Sequence, residues 1–456
     1  MHLQSLKPKE AEERVKLVGW MRSLITRGQD IELRKRSRRT NIVLWLAGYG
    51  SGVLGDQMYF VALAWTATRF ATPAQVGFLL AAGAVPRALL LLFGGAVADR
   101  YGPKWTALVS SAGRAVVIAA ISISLSSGAS DIALLVLLTT AFGIADALFL
   151  PAVASLPAYI ADRSSLRRLQ GARSLLQRLA MATGPPLVGF LLAHINQGAT
   201  FAILSAILAL STCLLFFTRV SSPAAKSEAE TPCGDSLGGT PRSRSSKNTI
   251  RMLRISLIRD ARTGLDYVSK HPVLRPMLMI IALSELAIAG PIAAGIPALA
   301  DDRGWGAQGV GTVLACVGIG AMTTALYLTF GPKLPHPGLY ALGSVVLMGP
   351  ALIVVGAAAE VWLSAGAGLV LGFCGGICGT LIQTFVITMS DPSQLGRVLS
   401  VVTLASIGAA PIAYAATGLI TQFAGASFAF LCSGVLVSLT GCYALTLKPL
   451  RRATLE

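Results

Sequence analysis

Charge is what this sequence has least of. Only 13% of its 456 residues are Asp, Glu, Lys or Arg, about half the share of an ordinary soluble domain, so a water-facing globule is excluded. Strand-type alternation is missing too, which removes a membrane barrel. Histidine is down to four residues and cysteine to seven. The cysteines are scattered; Cys374 and Cys378 share a helix face at i, i+4, with no His or acid beside them, so neither a metal nor a redox centre is expected. No G-x-x-x-x-G-K-[ST] loop occurs, which argues against an ATP-driven pump, and nothing points to an enzyme. The first 40 residues are too polar for a cleavable signal peptide.

Apolar residues make up 54% of the chain and gather in runs near the ~20 residues that a helix needs to cross a bilayer. Twelve spans follow from them: 41–67, 74–97, 105–126, 132–156, 171–194 and 199–218, then 274–299, 307–330, 338–357, 361–387, 396–421 and 426–447. The expectation is an all-α polytopic membrane protein with twelve transmembrane helices in two six-helix halves, 41–218 and 274–447. Residues 1–40 form an N-terminal extension, with an amphipathic patch from Val15 to Ile25 that suits either a surface helix or a plain tail. Residues 219–273 are a linker, rich in Ser, Pro, Gly and Thr and then basic and amphipathic from Ile250 to His271. Residues 448–456 are the tail.

The net charge of +17 would suggest nucleic acid in a soluble protein, but its distribution decides otherwise. Lys and Arg crowd before Asn41, around 100–104, 163–173 and 219–275, at Lys333 and Arg397, and in the tail. The alternate loops carry only Arg69 and Arg303. That asymmetry is the positive-inside pattern of a plasma or inner membrane protein with both termini cytoplasmic. The partners expected are lipid, a small-molecule substrate and protons, with no nucleic acid.

Two short stretches organise this bundle. Gly94 to Lys104 is a tight, charged turn between two spans, with Asp99, Arg100 and Lys104 at the membrane boundary. Asp162-Arg163-Ser164-Ser165-Leu166-Arg167-Arg168 and Asp391-Pro392-Ser393-Gln394-Leu395-Gly396-Arg397 both read D-x-S-x-L-x-R. Each lies between the fourth and fifth span of its half, as two related halves require.

Here the sequence resembles the major facilitator superfamily over about 41–447. Its loop 2–3 signature, G-x-x-x-D-R/K-x-G-R/K-R/K, is matched by Gly95, Asp99, Arg100, Gly102 and Lys104, with Pro103 replacing one basic residue. The second-half equivalent survives only as Gly331-Pro332-Lys333. An antiporter signature, G-x8-G-x3-G-P-x2-G-G, is met in span 5 by Gly171, Gly184, Pro185 and Gly189, with Ala180 and Val188 in place of two glycines. Gly55-Asp56, Pro86-Arg87, Pro151-Ala152 and the Gly264–Leu274 entry to span 7 are similar to the branch of the enterobactin exporter and macrolide efflux proteins. The resemblance implies a monomeric secondary exporter driven by the proton gradient, without a cofactor. Its substrate would be an amphipathic small molecule: a drug, antibiotic or siderophore.

Ionisable residues at membrane depth cost about 2.5–3.5 kcal/mol each on insertion scales, so each needs a reason. Asp56, Asp146 and Glu285 are the proton-coupling candidates. The alternative for the two aspartates is a structural ion pair, Asp56 with Arg87 or Asp146 with Arg114 or Arg178. Asp56→Asn is expected to abolish proton-coupled efflux. Gln57, Tyr59, Gln177, Gln383 and Tyr414 are candidates to touch substrate. Asp99 is expected to meet the start of span 11 near Arg397 as a latch on one conformational state, where a carboxylate suits the helix dipole. An importer or facilitator, and a non-transporting receptor on the same fold, are the competing functions; the span 5 signature and the membrane-depth carboxylates weigh against them.

Overall fold

The computed structural model describes residues 39–128, 131–161, 163–219, 263, 265–332, 334–391 and 394–451. Nearly all of the N-terminal extension, most of the linker with its amphipathic stretch, Lys333 and Asp162 lie outside the described residues. Eleven of the described helices are long and apolar enough to cross a membrane, and the helix over 39–68 precedes them. In chain order α1 is 39–68, α2 Pro73–Tyr101, α3 Pro103–Ser126, α4 Ile132–Ser155, α5 Arg163–His194 and α6 Gln197–Phe217. The second half holds α7, Leu274–Gly290 continued through Pro291–Gly295 to Asp302, then α8 Gly306–Phe330, α9 Pro337–Ala357, α10 Val361–Met389, α11 Leu395–Ala424 and α12 Ala426–Thr446.

Local chemistry sets the helix ends. Thr72 and Gln75 exchange side-chain and backbone hydrogen bonds in a capping box, with Pro73 first in the helix, where its missing N–H costs nothing. Asp131 and Asn196 cap α4 and α6 more simply, each side-chain oxygen accepting from a backbone N–H, of Ala133 and of Ala199. Gly102, at φ +88°, turns α2 directly into α3, a backbone state that side chains disfavour. Polar residues at the start of α5 hide its beginning from an apolar count: the helix starts at Arg163 rather than 171. In α7 the segment Pro291–Gly295 is a π-helical turn, opened where Pro291 has no N–H to give.

Each half has its own apolar interior, and the two are joined where Trp65 packs into that of the second half and Ala294 into that of the first. The halves meet along two seams, α2 against α11 and α5 against α8. Residue 39, the 95–104 turn and residue 451 lie at one end, the turn end; residues 69–72, 195–196, 303–305 and 425 lie at the far end. The seams are tightest toward the far end. A Cβ on Gly77 would stand 2.5 Å from Tyr414 O and 2.9 Å from Gly418 Cα; one on Gly189, 2.7 Å from Ala307 O. Only small residues allow backbones this close. Arg69 and Asp301 add an ion pair of 2.9 Å across the halves, and Ala74 N donates to Gln422 Oε1 at 3.2 Å. At the turn end Gly95, Gly171 and Gly396 have nothing within 4 Å of where a Cβ would stand. The close backbone contacts between the halves thus cluster toward the far end, where an open depression of about 990 Å³ also lies between them beside Arg69, Asn196 and Asp301.

Candidate functional site

Four charged side chains from four helices meet inside the first half. α1 brings Asp56, α2 Arg87, α3 Arg114 and α4 Asp146. Arg114 is fully buried; its Nη1 lies 2.6 Å from Asp56 Oδ2 and 3.2 Å from Asp146 Oδ1. Arg87 Nε lies 3.0 Å from Asp146 Oδ2, within ion-pair reach but at an angle that makes no hydrogen bond. The Phe149 ring lies under the Arg114 guanidinium at 3.6 Å, and Phe60 under that of Arg87 at 5.4 Å. Two cations and two anions balance, as buried charge requires. Asp146 pairs with Arg114 as one of the expected alternatives had it, but the partner of Asp56 differs. Asp56 goes to Arg114 rather than Arg87, because the α1–α3–α4 packing puts Arg114 between both carboxylates. Arg178 joins neither: its Nη1 donates across the α5–α8 seam to Ala321 O at 3.4 Å.

Beside this quartet lies a cavity of about 210 Å³ between the two halves. Asp146 and Arg87 reach its wall, together with Gln57, Tyr59 and Tyr414 of the expected contact residues. The rest is largely apolar and comes from α1, α2, α4, α5, α7 and α8. Apolar walls with a few fixed polar groups suit an organic ligand. Gln177 and Gln383 are not part of the lining; Gln177 instead accepts from Tyr49 OH at 3.5 Å. Two lining residues escaped the sequence reasoning: Thr139, which accepts from Tyr59 OH at 3.4 Å, and Phe142. Both were within reach, since Thr139 and Phe142 stand seven and four residues before Asp146 and so on its helix face.

Glu285 stands apart from the quartet. It is half-buried on α7, two turns, roughly 10 Å, toward the turn end from Ile292 of the cavity wall. It makes no hydrogen bond or ion pair among the described residues, and Tyr414 and Cys378 are the groups its charge reaches.

The span 5 glycine pattern becomes contacts. Gly184 packs on α1 at Gln57, Gly189 on α8 at Gly311, and Pro185 lies on both the cavity and Gly311; Gly171 faces open space. At the 95–104 turn, Lys104 Nζ donates to Phe216 O at 2.9 Å, tying the turn to the C-terminal end of α6, where a cation is favoured. Asp99 is exposed and makes no hydrogen bond or ion pair among the described residues, and Arg100 lies over Tyr101. Arg397 donates to Gln394 Oε1 at 3.0 Å. Asp391, the repeat's acid, accepts from Tyr267 OH at 3.1 Å.

Among the described residues twelve long helices in two halves surround a cavity, a membrane transporter fold, and the chain matches the family model described as Major Facilitator Superfamily over residues 45–352. The protein belongs to that superfamily. Among its relatives is the uncharacterised MFS-type transporter YfiS of Bacillus subtilis (strain 168), 24% identical over 405 residues, covering 87% of this chain and 90% of the relative. Its fold is similar to that of a D-xylose–proton symporter (TM-score 0.65, 14% identity, 93% of this chain and 100% of that one). It is also similar to that of the human organic anion transporter MFSD10 (TM-score 0.58, 14% identity, 89% and 99%).

Proposed function

We propose that this protein is a secondary exporter that exchanges protons for an amphipathic small molecule by alternating access, at the plasma or inner membrane, as a monomer with both termini cytoplasmic. The proton gradient is its energy source, and it needs no cofactor and carries out no covalent chemistry. The observation that carries the coupling is the charge arrangement. Asp56 and Asp146 are compensated by Arg114 and Arg87, whereas Glu285 has no counter-charge among the described residues and lies on α7 toward the turn end from the cavity wall. A lone carboxylate at membrane depth is stable only when protonated or when facing a cation or water. A proton and a bound substrate can therefore alternate there.

The turn end, rich in Lys and Arg, is the cytoplasmic face on this proposal, and a state open there admits substrate from inside. The span 5 pattern supports export, and the small residues Gly184, Gly189 and Gly318 give the α1–α5–α8 surface its close packing. The matches at Gly55-Asp56, Pro86-Arg87 and Pro151-Ala152 support placement in the enterobactin and macrolide exporter branch; Asp56 and Arg87 are members of the quartet and Pro151 packs on Gly94. The test uses respiring everted vesicles with an acridine dye that reports the internal pH. Ethidium, norfloxacin, erythromycin and a catecholate siderophore are added in turn. At least one should make the vesicle interior less acid in a manner that depends on this protein. A protein that answers none of them, or that accumulates a compound only with an inward proton flow, is not this exporter.

A further inference from the structure

A tight helix crossing sets one unused donor edge on the cavity wall. A Cβ on Gly143 of α4 would collide with Gly83 O of α2, so the two backbones touch there, as only small residues permit. Arg87 and Asp146 stand about one turn further along their helices and face each other at 3.0 Å, Nε to Oδ2. Nε is buried in that contact. The two Nη atoms make no hydrogen bond among the described residues and are not shut away with it, since the side chain is 30% exposed and part of the wall. Phe60 lies beneath the guanidinium at 5.4 Å and meets the edge of Phe142 at 6.1 Å. The plane is thus held along its Nε edge and on one face, and its Nη edge is left to the cavity. Tyr59 OH and Thr139 Oγ1, on the same wall, satisfy each other at 3.4 Å.

Charge decides which acceptor suits that edge. Arg87 and Arg114 are already matched by Asp56 and Asp146. A carboxylate there would be a third anion against two cations in an apolar surround, an uncompensated charge that one contact does not repay. A cation would face the guanidinium itself. An uncharged carbonyl oxygen has two lone pairs for the two N–H groups and leaves the balance intact.

We infer that the transported molecule presents an uncharged carbonyl oxygen, of a ketone, ester, lactone or amide, to the Nη edge of Arg87 and lays a flat apolar ring system against Phe60 and Phe142. Arg87 is then a specificity-determining residue as well as the counter-charge of Asp146. This names the substrate class of the cavity and rests on the reading of the protein as an exporter of amphipathic small molecules. At about 210 Å³ the space is smaller than the ~300–1,000 Å³ of common ligand pockets, so it takes one or two fused rings. Ile292, Leu314 and Gly318 of the second half close over the opposite side, and a seated ring therefore contacts both halves. Only the part of the molecule inside the cavity is uncharged on this account; the exchange at Glu285 stays separate.

The test is equilibrium binding of three probes of one shape to the purified full chain, corrected for uptake by detergent alone. They are 2-acetylnaphthalene, with a neutral carbonyl; 2-isopropenylnaphthalene, with a carbon in place of that oxygen; and 2-naphthoate, with a carboxylate. The ketone should bind about tenfold more tightly than the hydrocarbon, the worth of a hydrogen bond to a charged donor, and more tightly than the carboxylate. Arg87→Lys keeps a cation for Asp146 but loses the planar fork. It should bring the ketone down to the hydrocarbon and leave the hydrocarbon unchanged. A hydrocarbon or carboxylate that binds as well as the ketone, or no binding by any of the three, overturns the inference. So does an Arg87→Lys protein that keeps the ketone preference or weakens both probes alike. Export is judged separately by the vesicle panel: proton-coupled movement of a panel compound without a ketone preference refutes the carbonyl subsite alone, and a ketone preference without any proton movement refutes export alone.

Discussion

At the scale of single residues the decisive fact is which charges are compensated. Depth in the membrane makes Asp56 and Asp146 resemble proton carriers, but each is held by an arginine, and Arg114 serves both. Removing one member of a buried ionic set leaves its partners desolvated and unpaired, a loss of about 3–5 kcal/mol. Arg114→Ala should therefore lower the melting temperature of the purified protein markedly, because Asp56 and Asp146 would face each other without their shared cation. An unchanged melting temperature would show that the quartet does not stabilise the first half. The sequence displayed every one of these charges but not their pairing. Asp56 and Arg114 are 58 positions apart, and only the packing of α1 on α3 and α4 selects Arg114 over Arg87. Glu285 was visible as the membrane-depth acid of the second half; that it meets no partner among the described residues is a property of the fold.

At the scale of elements, apolar runs located the helices closely because the bilayer demands the same length of each. The expected 132–156 and 426–447 compare with Ile132–Ser155 and Ala426–Thr446. The misses are instructive. α5 begins at Arg163, where a helix that extends past the membrane has no need of apolar side chains. The π turn at Pro291–Gly295 leaves no mark on hydropathy, yet it places Ile292 and Ala293 at the cavity. The seams were half legible. Small residues in span 5 announced a close contact, whereas the pairing of Gly77 with Gly418 lies between segments more than 300 positions apart and needs the fold. Gly77→Leu should prise that seam open, since even its Cβ meets Tyr414 O at 2.5 Å. Spin labels at Ser127 and Gln308, on opposite halves of the far end, should then report longer distances. Unaltered distances would mean that the α2–α11 seam does not hold the halves together there.

At the scale of the whole molecule, the observed state and the loop signature fit together as two phases of one cycle. Toward the far end the halves are held together by the glycine seams, with the exposed Arg69–Asp301 pair at 2.9 Å across them. Asp99, at the turn end, is exposed and makes no hydrogen bond or ion pair among the described residues. The proposed latch belongs to the opposite state, in which the turn end closes and Asp99 reaches the N-terminus of α11. Asp99→Ala should then slow turnover several-fold while leaving equilibrium binding of the transported compound unchanged, the contribution expected of a charge at a helix N-terminus. Binding lost in step with turnover would place Asp99 at the substrate instead. Lys104, tied to α6, holds the turn in register within its own half.

The central claim is that Glu285 alternates between proton and substrate, and liposomes containing either the native protein or Glu285→Gln test it most directly. The vesicle panel compound that moves protons most strongly is used, with an inside-acid gradient driving accumulation and, separately, with labelled compound exchanging for unlabelled at equal pH. The account predicts that Glu285→Gln loses gradient-driven accumulation and keeps exchange. Accumulation by Glu285→Gln at the native rate, abolished by a protonophore as in the native protein, would contradict it.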